Sequence, residues 1–403
     1  MNHDIKRKES VIINFLIIIQ EKMNKIKKKT KRIPQLEGLR FIMCCIIILS
    51  HFEFLSKSKL FGDGYIQYLH NATMAVDYFF MISGFGICLS KKRSNNDLKS
   101  RLKFAIDKVK KIYGAYIISL IIAIPISMYA FMEYSSIFKA GAKTLFYFCV
   151  NLSLLQSVFG MTSFSHAING VCWFLSCIFV CYFFITWVIK WIDKIESNKN
   201  LLFFLMLTVI LVIVLSYGCS KIEALNLMNG KIDDLWYGHA VIRCWYLVIG
   251  AFIGKLYKKN KIEFGNISES IIILISIIYF LLRNSLLIVY NKNFLRLIDI
   301  ILCSALLFVI SKGKGKITEK LSKEYMVKLG HLSMYLYLFH YPIRMTIGEL
   351  FKQYGIIRKV GESGYILECI VIIAITICWV IGYEKLQKEL KHSCIKNMSF
   401  KRL

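Results

Sequence analysis

The chain has 403 residues, 56% of them hydrophobic, with 53 Lys and Arg against 25 Asp and Glu and only three prolines. Its mean hydropathy is +0.54, and apolar runs recur from one end to the other, which excludes a soluble globular domain and describes one polytopic membrane domain. The net charge of +28 would suggest nucleic acid in a soluble protein. Here it is read against the gathering of Lys and Arg in short cytoplasmic loops, and no nucleic-acid partner is expected.

Residues 1–33 form a basic segment around a short apolar stretch, Val11 to Ile19. That stretch is too short to span and reads as an interfacial helix, with Met23 as an alternative start. Eleven apolar runs follow, at about 36–55, 72–90, 112–132, 144–158, 171–189, 201–218, 238–254, 270–290, 295–310, 329–348 and 364–383. If all eleven cross, the Lys-free loop 159–170 lies inside and the Lys-rich loop 255–261 outside, against the positive-inside rule. Run 144–158 is the shortest and carries Asn151, Ser153 and Gln156, residues suited to a helix that lines a cavity. Treating it as re-entrant or partial places 38 of the 53 Lys and Arg in the cytoplasm and 13 outside. The expected fold is therefore all-α and polytopic, with about ten transmembrane helices plus one short re-entrant or partial helix and both termini cytoplasmic. Residues 34–383 make the membrane domain, and 384–403 a basic cytoplasmic tail.

Thirteen cysteines are present without a CxxC motif. Cys44, Cys45, Cys172, Cys177 and Cys181 sit in apolar runs, where cysteine packs as a small hydrophobe. Neither a disulfide framework nor a metal site is expected.

Ionisable residues inside apolar runs are costly and mark candidate functional sites. Arg40 and His51 share the first run. Eleven residues are about three helical turns, so both project from nearly one face, about 16 Å apart along the axis. One elongated ligand can touch both. A histidine suits a general base, and a buried arginine suits phosphate or carboxylate. The plainer alternative pairs Arg40 with Glu37 three residues earlier and leaves His51 as a helix cap. Asp77 lies ahead of Ser83-Gly-Phe-Gly86, which suggests a polar interior face and close helix approach, or else an interfacial carboxylate with a packing glycine. The basic stretch Arg101–Lys111, with Lys108 and Lys111 at its end, reads as an anchor or as a phosphate-attracting group. Arg243 either snorkels or lines the interior. His340, followed by Pro342, marks a bent helix beside a cavity or an interfacial histidine. No G-x-S-x-G and no H-E-x-x-H occur. An interior lined by Arg, His and Asp fits an enzyme, or alternatively a transporter of a glycan or organic anion. The later half holds no second copy of the Arg/His motif, which favours the enzyme.

At these residues the chain resembles the acyltransferase 3 family of membrane acyltransferases. Leu36-Glu-Gly-Leu-Arg40 with His51, Asp77-Tyr-Phe-Phe-Met-Ile-Ser-Gly-Phe85, Trp173-Phe-Leu-Ser176 and Ser333–Pro342 follow the family's motifs in order. Two positions depart from it. Lys108 and Lys111 replace arginines ahead of the third helix, and lysine does not reproduce a bidentate arginine contact. Ile178 stands where many members carry a glutamate. The resemblance implies transfer of an acyl group, commonly from acetyl-CoA, to a hydroxyl of a cell-surface or exported carbohydrate or a lipid-linked glycan. It implies His51 and Arg40 as catalytic residues. Arg40, Lys108 and Lys111 are the expected acyl-CoA contacts, with no metal. Asp77, Ser83, Trp173, Arg243 and His340 are expected to line the acceptor site or cavity. The Lys, Ile and Asn bias suggests an AT-rich bacterial genome, hence a bacterial plasma membrane.

Overall fold

The computed structural model describes residues 33–90, 97–225 and 235–400. The Val11–Ile19 stretch and Met23 lie outside the described residues. Among those residues, eleven helices of sixteen residues or more set the architecture: α1 Pro34–Ser50, α2 Thr73–Leu89, α3 Leu98–Met132, α4 Ile137–Leu152, α5 Trp173–Lys194, α6 Asn198–Ala224, α7 Ala240–Lys259, α8 Asn266–Val289, α9 Lys292–Lys312, α10 Glu324–Gln353 and α11 Ser363–Phe400. Helix starts follow local chemistry. Pro34 occupies the first turn of α1, where its missing N–H costs nothing. The Asp97 carboxylate accepts from Ser100 N at 2.9 Å to cap α3, and Asn291 Oδ1 accepts from Asn293 N at 2.8 Å to cap α9.

Among the described residues, eight helices are long and apolar enough to cross a membrane: α2 with its leading turns from Gly62, α3, α5 to α9, and α11. The expected ten included α1 and α10. At 17 residues α1 is just short of a full span, about 25 Å at ~1.5 Å per residue. α10 is long enough at 30 residues, but Tyr, His, Arg and Pro342 dilute its hydropathy. The two pack on each other, with Cys44 Sγ donating to Ser333 O at 3.1 Å. Their polar positions therefore face a neighbouring helix rather than lipid.

Two helices run past the expected limits. α3 is 35 residues long and takes in the whole basic stretch Arg101–Lys111, and α11 carries the helix through the basic tail to Phe400. α4, in contrast, is a partial helix of 16 residues, about 24 Å against a ~30 Å hydrocarbon core. After it the chain turns back into the protein. Leu154 and Ile168 adopt φ of 56° and 66°, and side-chain amides satisfy the backbone there. Gln156 Nε2 donates to Tyr116 Oη, Asn151 Oδ1 and Cys172 O at 3.0, 3.1 and 3.3 Å. Asn169 Nδ2 donates to Ser119 Oγ at 3.1 Å and Leu338 O at 3.0 Å. Irregular backbone persists at this depth because it is buried in protein. Ser153, by contrast, is exposed and only ends the helix, donating to Val150 O.

Glycines set the closest helix contacts. A Cβ on Gly84 would lie 1.8 Å from Leu247 O, and one on Gly250 would lie 1.8 Å from Met81 O. α2 and α7 thus meet backbone to backbone, as small residues allow. Gly330 does the same for α10 against Glu37 O of α1, at 2.1 Å. Glu269 ties down the loop after α9 by accepting from Gly315 N, Ile317 N, Thr318 N and Thr318 Oγ1 at 2.6–3.1 Å. Replacing Gly250 with Ala should force α2 and α7 apart and cost ~1–3 kcal/mol or more. Thermal unfolding in detergent should show a clear drop for Gly250→Ala and none for Gly382→Ala, where an added Cβ meets nothing within 4 Å. Equal stability of the two variants would refute this packing.

Candidate active site

α1 and α10 bring His51 and His340 together. His340 Nε2 lies 3.2 Å from His51 Nδ1, with ring centroids 5.1 Å apart. His51 Nδ1 is 2.8 Å from Ile47 O, and His340 Nδ1 is 2.8 Å from Tyr337 O. A carbonyl oxygen only accepts, so each Nδ1 carries its proton. His340 Nε2 therefore holds a lone pair facing His51 Nδ1–H, and His51 Nε2 is left with a lone pair of its own. This is the tautomer a general base requires. The Tyr341 ring meets His51 edge-on at 5.4 Å. Gly170 makes room for it, since a Cβ there would lie 2.7 Å from the Tyr341 ring.

Arg40 lies on the same helix, toward its start. Its Nη1 donates to Glu37 Oε2 at 2.8 Å, so the i, i+3 pair weighed as the plainer reading is present. The pairing does not close the residue off. The Arg40 side chain is 30% exposed and opens into a cavity of about 630 Å³, whose wall also holds Ser83, Lys108, Lys111, Ile178 and Tyr182. A glutamate at position 178 would face this space, whereas Ile178 contributes an apolar surface to it. Lys108 and Lys111 are three residues apart on α3 and share the face toward the cavity. A void of about 10 Å³ adjoins the cavity, shares Phe79, Phe174, Ser333 and Met334 with it, and reaches Ile47 and Tyr337. Those last two residues hold the histidines. The void ends at Ile47 and Tyr337, one turn short of the histidine rings, along the face of α1 that begins at Arg40.

Asp77 and Arg243 sit apart from this path. Arg243 Nη1 donates to Asp77 Oδ1 at 2.5 Å, and both side chains are fully buried. Arg243 Nε donates to Tyr237 O at 2.8 Å. Four rings surround the guanidinium, with Tyr237, Tyr246, Phe80 and Trp173 centroids at 4.8, 5.1, 5.5 and 5.8 Å. The two expected cavity residues are closed on each other and on aromatic faces, with little access for a ligand, while Asp77 Oδ2 and Arg243 Nη2 are buried without a hydrogen-bond partner. The Trp173 ring lies tilted against Tyr237, with centroids 4.8 Å apart, and belongs to this cage. Arg243 does not snorkel.

Sequence reasoning passed over a second buried pair. Arg283 Nη2 donates to Asp299 Oδ2 at 2.7 Å, and Tyr279 Oη donates to Asp299 Oδ1 at 3.0 Å. Both charges stand inside apolar runs, the same sequence signal that Arg40 carries. His166 was also missed, because it lies in a connector without periodicity. Burial pushes its ring down to about 4, so it is neutral near pH 7. Its Nδ1 lies 2.8 Å from Ser165 Oγ.

These features define a multi-pass helical membrane protein whose interior holds a basic cavity and, further along the same helix, a hydrogen-bonded histidine pair. A family model described as an acyltransferase domain matches residues 33–384. The chain therefore belongs to the acyltransferase 3 family and is a membrane acyltransferase. That assignment decides between the enzyme and the transporter in favour of the enzyme. Among curated proteins and solved structures, none matches the chain.

The ion pair carries a stability prediction. Removing one partner of a buried pair costs roughly 3–5 kcal/mol, whereas replacing both with apolar groups is often tolerated. Asp77→Leu or Arg243→Met alone should abolish well-folded protein in detergent, and the double variant should recover most of the thermal stability. A double variant no better than either single one would show that the charges do more than balance each other.

Proposed function

We propose that the protein moves an acyl group, commonly acetyl, from cytoplasmic acyl-CoA to a hydroxyl of a cell-surface or exported carbohydrate. In this reading its setting is the bacterial plasma membrane, with both chain ends in the cytoplasm. The observation that carries the reading is a basic cavity at Arg40, Lys108 and Lys111 by the start of α1, with the histidine pair at the other end of that helix. It suits a long, thin donor held at its charged end, with its reacting end some 16 Å away by helical rise.

His51 Nε2 takes the proton of the acceptor hydroxyl while that oxygen attacks the thioester carbonyl. The carbon–sulfur bond breaks as the tetrahedral intermediate collapses. The His51 imidazolium then returns the proton to the leaving thiolate. His340 is a positioning residue. Its Nε2 lone pair and the Ile47 carbonyl both receive His51 Nδ1–H, which keeps the base in its working tautomer and supports the imidazolium, much as the third member of a catalytic triad does. Arg40 orients the donor, with Glu37 holding the guanidinium in one rotamer. Lys108 and Lys111 attract its phosphates as point charges, without the bidentate contact an arginine would make.

Purified His51→Ala, with insertion confirmed, should lose acyl transfer by about a hundredfold or more. His340→Ala should lower kcat without changing the KM for acetyl-CoA. Arg40→Gln should raise that KM about tenfold or more, the scale of a lost charged hydrogen bond. Undiminished glycan acylation by well-inserted His51→Ala would sink the assignment.

A further inference from the structure

A second cavity, of about 310 Å³, lies on the far side of the histidines from Arg40. Its walls come from the last two turns of α3, from the connector around Thr162–Ile168, from α4, and from α10 just beyond His340. α3 and α10 line the Arg40 cavity with their earlier turns and this one with their later turns, so the two cavities lie toward opposite ends of these helices. Of its residues only Pro342 stands out in the sequence, and the proposed mechanism does not use the cavity.

We propose that this cavity is the acceptor site and takes one sugar unit of the carbohydrate, an inference that rests on the proposed function. Four observations carry it. Tyr341 belongs both to the cavity wall and to the shell of His51, which its ring meets edge-on, so a ligand seated there abuts the residue beside the base. The wall pairs aromatic side chains, Tyr147 and Tyr341, with hydroxyls from Ser127, Thr162 and Ser163. A pyranose presents the same combination, apolar C–H faces edged by hydroxyls, and small-molecule sites are built from such apolar walls with a few polar groups. Thr162 Oγ1 is buried with no hydrogen-bond partner, a state that native structures seldom leave unanswered. Finally, the volume sits at the lower end of the ~300–1,000 Å³ typical of ligand sites, enough for one ring and too small for a long lipid tail.

The test uses the full-length protein in proteoliposomes, with labelled acetyl-CoA and the saccharide fraction of the host envelope as acceptor. Ser163→Trp fills the cavity from an exposed position. It should raise the acceptor KM about tenfold or more, with the KM for acetyl-CoA unchanged. Thr162→Val keeps the side-chain shape and removes the hydroxyl, and should raise the acceptor KM several-fold, the scale of one hydrogen bond. It serves if Ser163→Trp does not fold. An unchanged acceptor KM in a folded variant overturns the site. If His51→Ala abolishes transfer in the same assay, that failure touches the cavity alone. If His51→Ala transfers normally, the proposed function itself falls.

Discussion

Two backbone carbonyls, Ile47 O and Tyr337 O, decide which nitrogen of each histidine carries a proton. They act from the turn preceding each ring, so the tautomers are a product of helix geometry alone. The consequence is directional: His340 faces His51 with a lone pair, and His51 faces away from it with another. That arrangement survives only while α1 and α10 stay at one spacing. Gly330 against Glu37 O and Cys44 against Ser333 O hold that spacing near the other end of the pair. The chemistry therefore depends on two contacts that touch no substrate.

The charges of the interior divide into two kinds. Asp77–Arg243 and Arg283–Asp299 are buried ion pairs that tie α2 to α7 and α8 to α9. Arg40 has a carboxylate partner too, yet stays partly exposed to a cavity with two further lysines in its wall. A cation with access and neighbours of like sign is poised for an anionic ligand, whereas a caged ion pair is a structural joint. Burial and partners separate the two where residue type does not.

Much of the fold was legible because apolar runs and loop charge obey strong rules. Run 144–158 was recognised as a partial helix from Asn151 and Gln156, and both are buried in the network that anchors the returning chain. Ser83-Gly84 suggested close helix approach, and Gly84 lies against Leu247 O. The limits of α3 and α11 were less legible, since helices continue past the apolar stretch where charged residues still favour helix. In the candidate site, periodicity placed Arg40 and His51 on one face. It carried no information on the meeting of His51 with His340, 289 positions away, nor on the pairing of Asp77 with a residue 166 positions away. The second cavity was invisible for the same reason. Its connector residues, Thr162 to Ile168, have no repeat to read, and their meeting with Tyr341 is a tertiary event.

The central claim is that donor and acceptor reach His51 from opposite faces of the membrane. Sealed proteoliposomes of defined orientation test it most directly, with labelled acetyl-CoA supplied on one side and acceptor saccharide on the other. The account predicts transfer only when acetyl-CoA is on the side of Arg40, Lys108 and Lys111. Equal transfer with acetyl-CoA confined to the opposite side would contradict it.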